Sequence, residues 1–189
     1  EESPIVDNDE LPSQATKLLG DAIDNSQIVL NEYSDSKFVD DAIYIIAISS
    51  LLRNEVAIAE SYFNQLLNKY PDSKFHSLSE AWLAYTHFHL GLVDSARLEI
   101  KKIQSSSPKN KEKLYLIYNL LAEIALEEDS LHNVYRNYEL AADYAQSKSK
   151  KTATYGKLVR IAENKSDKVR ASSYLISLGN VAPNMIRID

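Results

Sequence analysis

The 189-residue chain contains no cysteine, so disulfides and thiolate metal sites are excluded. Its four glycines and five prolines are too few for the many tight turns of an all-β chain and suit long helices. No apolar run approaches the ~20 residues that a membrane helix needs. The longest, Ala42 to Ile48, is interrupted by Tyr44. The chain opens on Glu1-Glu2-Ser3-Pro4, without a basic and apolar signal segment; a signal or lipid anchor outside the given sequence stays open. There is no His-Glu-x-x-His, no glycine-rich phosphate loop and no calcium-loop spacing. Of the histidines His76, His87, His89 and His132, the middle two stand two apart on a helix. They therefore point about 200° apart and cannot grip one metal together. Glu127-Glu128-Asp129 reads as a solvated turn, and Asp40-Asp41 as negative charge offsetting a helix macrodipole. These absences predict no catalytic residue, no metal and no cofactor.

Charge is scarce in one sign by region. Residues 1–100 carry six basic and 17 acidic side chains, whereas residues 101–170 carry 14 basic and nine acidic, within a net charge of −6. An acidic chain is a poor general nucleic-acid binder. The lysines of the basic region read as a solvated surface, with steering of an anionic partner as the alternative.

What the chain does contain is a period. Tyr33-Ser34-Asp35-Ser36-Lys37-Phe38 returns 37 residues later as Tyr70-Pro71-Asp72-Ser73-Lys74-Phe75, and Pro108 and Lys111 continue the spacing. A fixed period of this size marks stacked structural repeats. Residues 1–11, rich in acid, read as a flexible arm ahead of one repeat domain over residues 12–189. From Pro12 and Ser13 a helical stripe through Leu18, Leu19, Ala22, Ile23, Val29 and Leu30 ends near Tyr33.

Four helix–turn–helix units follow. In the first, helix A starts at Asp35 or Ser36 and runs to about Leu52, and helix B spans about Glu55 to Lys69. In the second, helices over about Lys74–Leu90 and Asp94–Ser105 flank a turn at Gly91, the counterpart of Asn54. In the third, helix A covers Lys111 to Glu127 with Leu114, Tyr118, Leu121, Ala122 and Ala125 inward. Its helix B, capped by Asp129 or Ser130, includes Val134, Tyr138, Ala141 and Ala142. A lysine-rich junction, Lys148 to Lys151, precedes the fourth, which turns at Asn164 to Asp167.

Small residues recur in helix A at Ala47, Ala84, Ala122 and, enlarged, Val159, and early in helix B at Ala59, Ala96, Val134 and Ala171; in the family that this pattern resembles, named below, each pair packs together. A larger residue follows at Phe63, Ile100, Tyr138 and Leu175, and Pro71, Pro108 and Pro183 terminate units. Helices joined by a short turn cross tightly only where neither side chain is bulky. This pattern resembles the tetratricopeptide repeat (TPR) over about Asp35 to Pro183. It departs in its period of 37 against the family's usual 34, and in the missing proline of the third unit. The resemblance implies an all-α, right-handed solenoid of antiparallel helix pairs, with about four repeats plus an N-terminal helix. The Tyr-Pro-Asp-Ser-Lys-Phe junction resembles the longer repeats of bacterial envelope TPR proteins, which implies the periplasm or outer-membrane periphery, including lipoproteins; the cytoplasm is the alternative.

The resemblance further implies a concave face lined by helix A side chains. Carried over residue by residue, the partner-binding positions are Asp41, Tyr44 and Ile48, then Leu78, Tyr85, Phe88 and His89, then Asn119 and Glu123, then Arg160 and Glu163. The first half is aromatic and apolar, which suits an extended or helical peptide with an apolar anchor. Trp82 reads as core. The function expected is a non-enzymatic scaffold that binds a peptide or protein segment in a cell-envelope assembly. The alternatives are a structural or oligomerisation module, or an accessory domain cut from a larger protein.

Overall fold

The computed structural model describes residues 12–183; the acidic arm at residues 1–11 lies outside them. Among the described residues there are nine helices and no strand: α1 (Ser13–Glu32), α2 (Val39–Leu52), α3 (Val56–Lys69), α4 (His76–His89), α5 (Val93–Ser105), α6 (Lys111–Glu127), α7 (Leu131–Tyr144), α8 (Lys148–Asn164) and α9 (Lys168–Val181). The chain divides into two compact units, one ending at Ser107 and the other beginning at Pro108. In the first, α1 packs on α2, α2 on α3, α3 on α4 and α4 on α5. In the second, α6 packs on α7, α7 on α8 and α8 on α9. No helix among the described residues is long and apolar enough to cross a membrane.

The period is written most plainly in the turns inside the hairpins. Asn54, Gly91, Asp129 and Ser166 all take positive φ, at 61°, 75°, 50° and 58°. Their spacings are 37, 38 and 37, so one residue has been inserted between the second hairpin and the third. Each turn closes alike. The amide three residues past the helix reaches back five positions, from Glu55 to Ser50 O (2.8 Å), Leu92 to His87 O (2.8 Å), Ser130 to Ala125 O (2.9 Å) and Asp167 to Ala162 O (2.8 Å), and the amide of the left-handed residue itself reaches back three. These two hydrogen bonds satisfy carbonyls that the helix end leaves open, and the turn needs a left-handed residue. An added Cβ at Gly91 would meet no atom within 4 Å, so only its backbone conformation is at stake there. Gly91→Ala is expected to cost about 1 kcal/mol in urea unfolding. Ser166→Gly, at the same turn of the last hairpin, is expected to gain up to about 1 kcal/mol.

The small residues that the resemblance pairs are buried. Ala47, Ala59, Ala84, Ala96, Ala122 and Val134 are each fully buried, and Val159 and Ala171 are nearly so. Phe63, Ile100 and Tyr138 fill the space beyond. Leu175, the expected fourth member, is instead 37% exposed, because no helix follows α9 among the described residues to cover it. Tyr174 beside it turns inward, and its hydroxyl donates to Glu139 of α7 at 2.6 Å. Burial first, and then that carboxylate, hold the Tyr174 phenol above its ordinary range. The same joint recurs from α1 to α3, where Tyr62 donates to Gln27. Trp82 is core, at 4% exposure.

Three details depart from the sequence reading. Helices α2 and α4 begin at Val39 and His76, later than expected, because Ser36 and Ser73 first close a separate turn with Tyr33 and Tyr70. Lys148, Lys150 and Lys151 lie in the first turn of α8 rather than in a junction, since Ser147 accepts from the Lys150 amide and caps the helix. Helix α6 is buried around most of its circumference, through Tyr115, Leu116, Ile117 and Leu120 as well as Ala122 and Ala125. Leu114, Tyr118 and Leu121, expected inward, are only half-buried.

Candidate binding face

Side chains of successive hairpins are tied across roughly one period, and the ties have a direction. Lys74 reaches back to Asp41 (2.7 Å), Lys150 to Glu112, Lys157 to Glu123 (3.3 Å) and Lys165 to Asp129 (3.3 Å). In every case the acid lies in the earlier hairpin and the lysine in the later one. Several lysines of the basic region are thus engaged within their own unit rather than presented as a uniform cationic surface. Lys74–Asp41 and Lys165–Asp129 are exposed, and such pairs contribute ~0–1 kcal/mol each, so they record register more than they supply stability; Lys150–Glu112 and Lys157–Glu123 are part-buried.

Against these ties the expected partner-binding residues can be placed. On α2, Asp41 holds Lys74, and the Tyr44 ring stacks on Phe75 with centroids 4.1 Å apart and planes 8° from parallel. Ile48 is half-buried one turn on. On α4, Leu78, Tyr85 and His89 follow one stripe at spacings of seven and four. Tyr85 is buried at 3% exposure, with its ring 5.7 Å from Trp82 and 4.5 Å from the exposed His89. Phe88, half-buried, lies edge-on to His89 at 5.5 Å. The second unit carries the other four. Asn119 is buried and donates from Nδ2 to its own helix at Tyr115 O (2.8 Å), while its Oδ1 accepts no hydrogen bond. Glu123 is tied to Lys157, whereas Arg160 and Glu163 are exposed near the end of α8. The structure therefore gathers Tyr85, Phe88 and His89 into one aromatic cluster, and it engages Asp41, Tyr44 and Glu123 in ties between hairpins.

A polar joint beside this cluster was not foreseen. His87 of α4 sits between two carboxylates, with Nδ1 3.0 Å from Glu99 of α5 and Nε2 3.1 Å from Glu60 of α3. Burial raises the Glu99 carboxyl above its ordinary range; His87 and then Lys102 oppose that rise, and Glu60 adds to it. The partners lie 12 and 27 residues from the histidine, so no local motif announces them. Among the described residues no group of three histidine or acidic side chains converges as a metal site would require. The ring's two nitrogens face different helices, an arrangement that ties α3, α4 and α5 together.

No family model matches the chain, and comparison with curated proteins finds no similar one.

Proposed function

We propose that the chain is a non-enzymatic interaction scaffold of tetratricopeptide type, which binds a peptide or protein segment through its helix A faces. The observation that carries this reading is the His89, Phe88 and Tyr85 cluster at the end of α4. An aromatic group left partly open on a helix supplies contact area at little entropic cost, which is how binding hot spots are built. The recurrent left-handed turns and the small-residue crossings support the repeat type. Half-buried Leu78 and Ile48 extend the apolar character along α4 and α2, which suits a peptide with an apolar anchor. The second unit adds exposed Arg160 and Glu163 as polar contacts on its own face. The likeness of the junction phrase to bacterial envelope repeats supports a cell-envelope setting.

The test is selection of a displayed random peptide library on the intact chain, with a Phe88→Ala/His89→Ala variant as counter-screen. Enriched peptides are expected to bind the variant at least about tenfold more weakly. Equal binding to both proteins would sink the reading.

One observation favours a second role, as an oligomerisation module. Val169 and Ile176, seven apart on α9, are 82% and 67% exposed, and Leu175 adds to the same surface region. Such a bare apolar stripe suits a helix of another copy. A strict monomer in light scattering at high concentration would remove that role.

A further inference from the structure

The repeated phrase is present twice in the first unit, once closed on a partner and once open. Locally the copies are alike. Ser36 and Ser73 each accept from the amide two residues on at 3.2 Å, and Lys37 and Lys74 each lie over the following phenylalanine, at 5.1 and 4.8 Å. Their surroundings differ. Phe75 stacks on Tyr44 while Lys74 pairs with Asp41, so the second copy is a lysine–phenylalanine clamp closed on α2. Asp41 and Tyr44 stand three apart on that helix and share a face. The first copy has no such helix on it among the described residues, and Phe38 is 56% exposed.

The opening extends beyond one ring. Tyr33 is 59% exposed where Tyr70, one period later, packs against the core formed by Val39, Ile43 and Leu66. Ile45 is 41% exposed where Trp82, again one period later, is 4% exposed. Three apolar positions whose counterparts one period later are covered are thus bare in the first copy, and Lys37 pairs with no carboxylate among the described residues.

We propose that Tyr33, Phe38 and Ile45, with Lys37, form a docking face for a helix of a different protein that carries a carboxylate and an aromatic residue three positions on. The occupant's chemistry is read from the closed copy: its aromatic ring stacks on Phe38 and its carboxylate pairs with Lys37. A second copy of this chain does not supply it. The described helices offer three acid-x-x-aromatic faces of phenylalanine or tyrosine: Asp41 with Tyr44, Glu60 with Phe63, and Glu112 with Tyr115. The first is held by Lys74 and Phe75; in the second, Glu60 lies against His87 and Phe63 is fully buried; in the third, Glu112 is held by Lys150 and Tyr115 is fully buried. This face uses none of the α4 cluster, so it stands or falls separately from the peptide site there.

The probe is a labelled alanine- and glutamine-rich helical peptide bearing one Asp-x-x-Tyr pair, titrated against the full chain by fluorescence anisotropy. Saturable binding is expected, at least about tenfold weaker for Phe38→Ala, whose exposed position leaves the fold intact by circular dichroism. Lys37→Glu is expected to weaken binding as well, and a peptide with Lys-x-x-Tyr in place of Asp-x-x-Tyr is expected to restore it to that variant. No saturable binding, or equal binding by Phe38→Ala, overturns the proposal. Self-association that Phe38→Ala abolishes would assign the face to a second copy. Binding that appears only after removal of residues 1–11 would assign it to that segment. Either result overturns docking of a different protein.

Discussion

Phe63→Ala is expected to destabilise the unit that ends at Ser107 by about 3–5 kcal/mol. The ring is fully buried in α3, edge-on to Tyr44 at 6.5 Å, in the space that opens beyond the Ala47 and Ala59 crossing. Removing it takes away the transfer free energy of six ring carbons, and it leaves a cavity. Ala47 and Ala59, both fully buried, are too small to fill the void. A loss of that size is a large share of the ~5–15 kcal/mol that stabilises an ordinary domain. The informative control is Leu175→Ala, the same repeat position in the last hairpin, where 37% exposure leaves little to lose. That change is expected to cost under about 1 kcal/mol. Urea unfolding of both variants by circular dichroism makes the comparison. Equal losses would show that hairpin order does not govern what this position contributes.

The contrast between those two residues shows how far the sequence carries. Periodicity and small-residue spacing mark each hairpin, and punctuation by Asn54 and Gly91 marks two of the four left-handed turns. Serine is no marker of that conformation, so Ser166 is visible only by counting from its predecessors. The run of lysines at 148–151 looks like a break in composition, yet its straight side chains are good helix formers and Ser147 caps them. The inward stripe of α6 was misplaced because a helix buried around most of its circumference has no single apolar face to read. Phe38 and Phe75 occupy the same place in the phrase, but only a neighbouring helix decides which one is covered. The same limit applies to the binding face. Tyr85, Phe88 and His89 are neighbours on one helix and could be grouped from spacing alone. The engagement of Asp41 by Lys74, or of Glu123 by Lys157, depends on the register of hairpins about one period apart.

His87→Leu is expected to lower stability by about 1–3 kcal/mol near neutral pH, and by less as the pH falls toward the carboxylate range. The histidine side chain is only 13% exposed, and it joins α3, α4 and α5 through Glu60 and Glu99. The ring presents one nitrogen to each carboxylate. Leucine donates to neither, which leaves two partly buried carboxylates facing an apolar side chain. The pH dependence follows from Glu99, whose carboxyl is raised above its ordinary 4.5, chiefly by burial and against the opposing influence of His87. A carboxyl raised by folding holds its proton more tightly in the folded state than in the unfolded one. Its contribution to stability is therefore fully present below the unfolded value and is lost as pH climbs through the raised one. Without His87 the strongest opposing influence is gone, so Glu99 rises further and the loss with increasing pH becomes deeper. Urea unfolding of wild type and variant at a series of pH values, from about 4 to 8, reads this directly. Repeating it in a Glu99→Gln background is expected to remove most of the pH-dependent part of the His87→Leu loss, since the titrating partner is then absent. A loss of equal size at every pH would mean that the imidazole acts through its volume alone and that the joint between the three helices is not electrostatic.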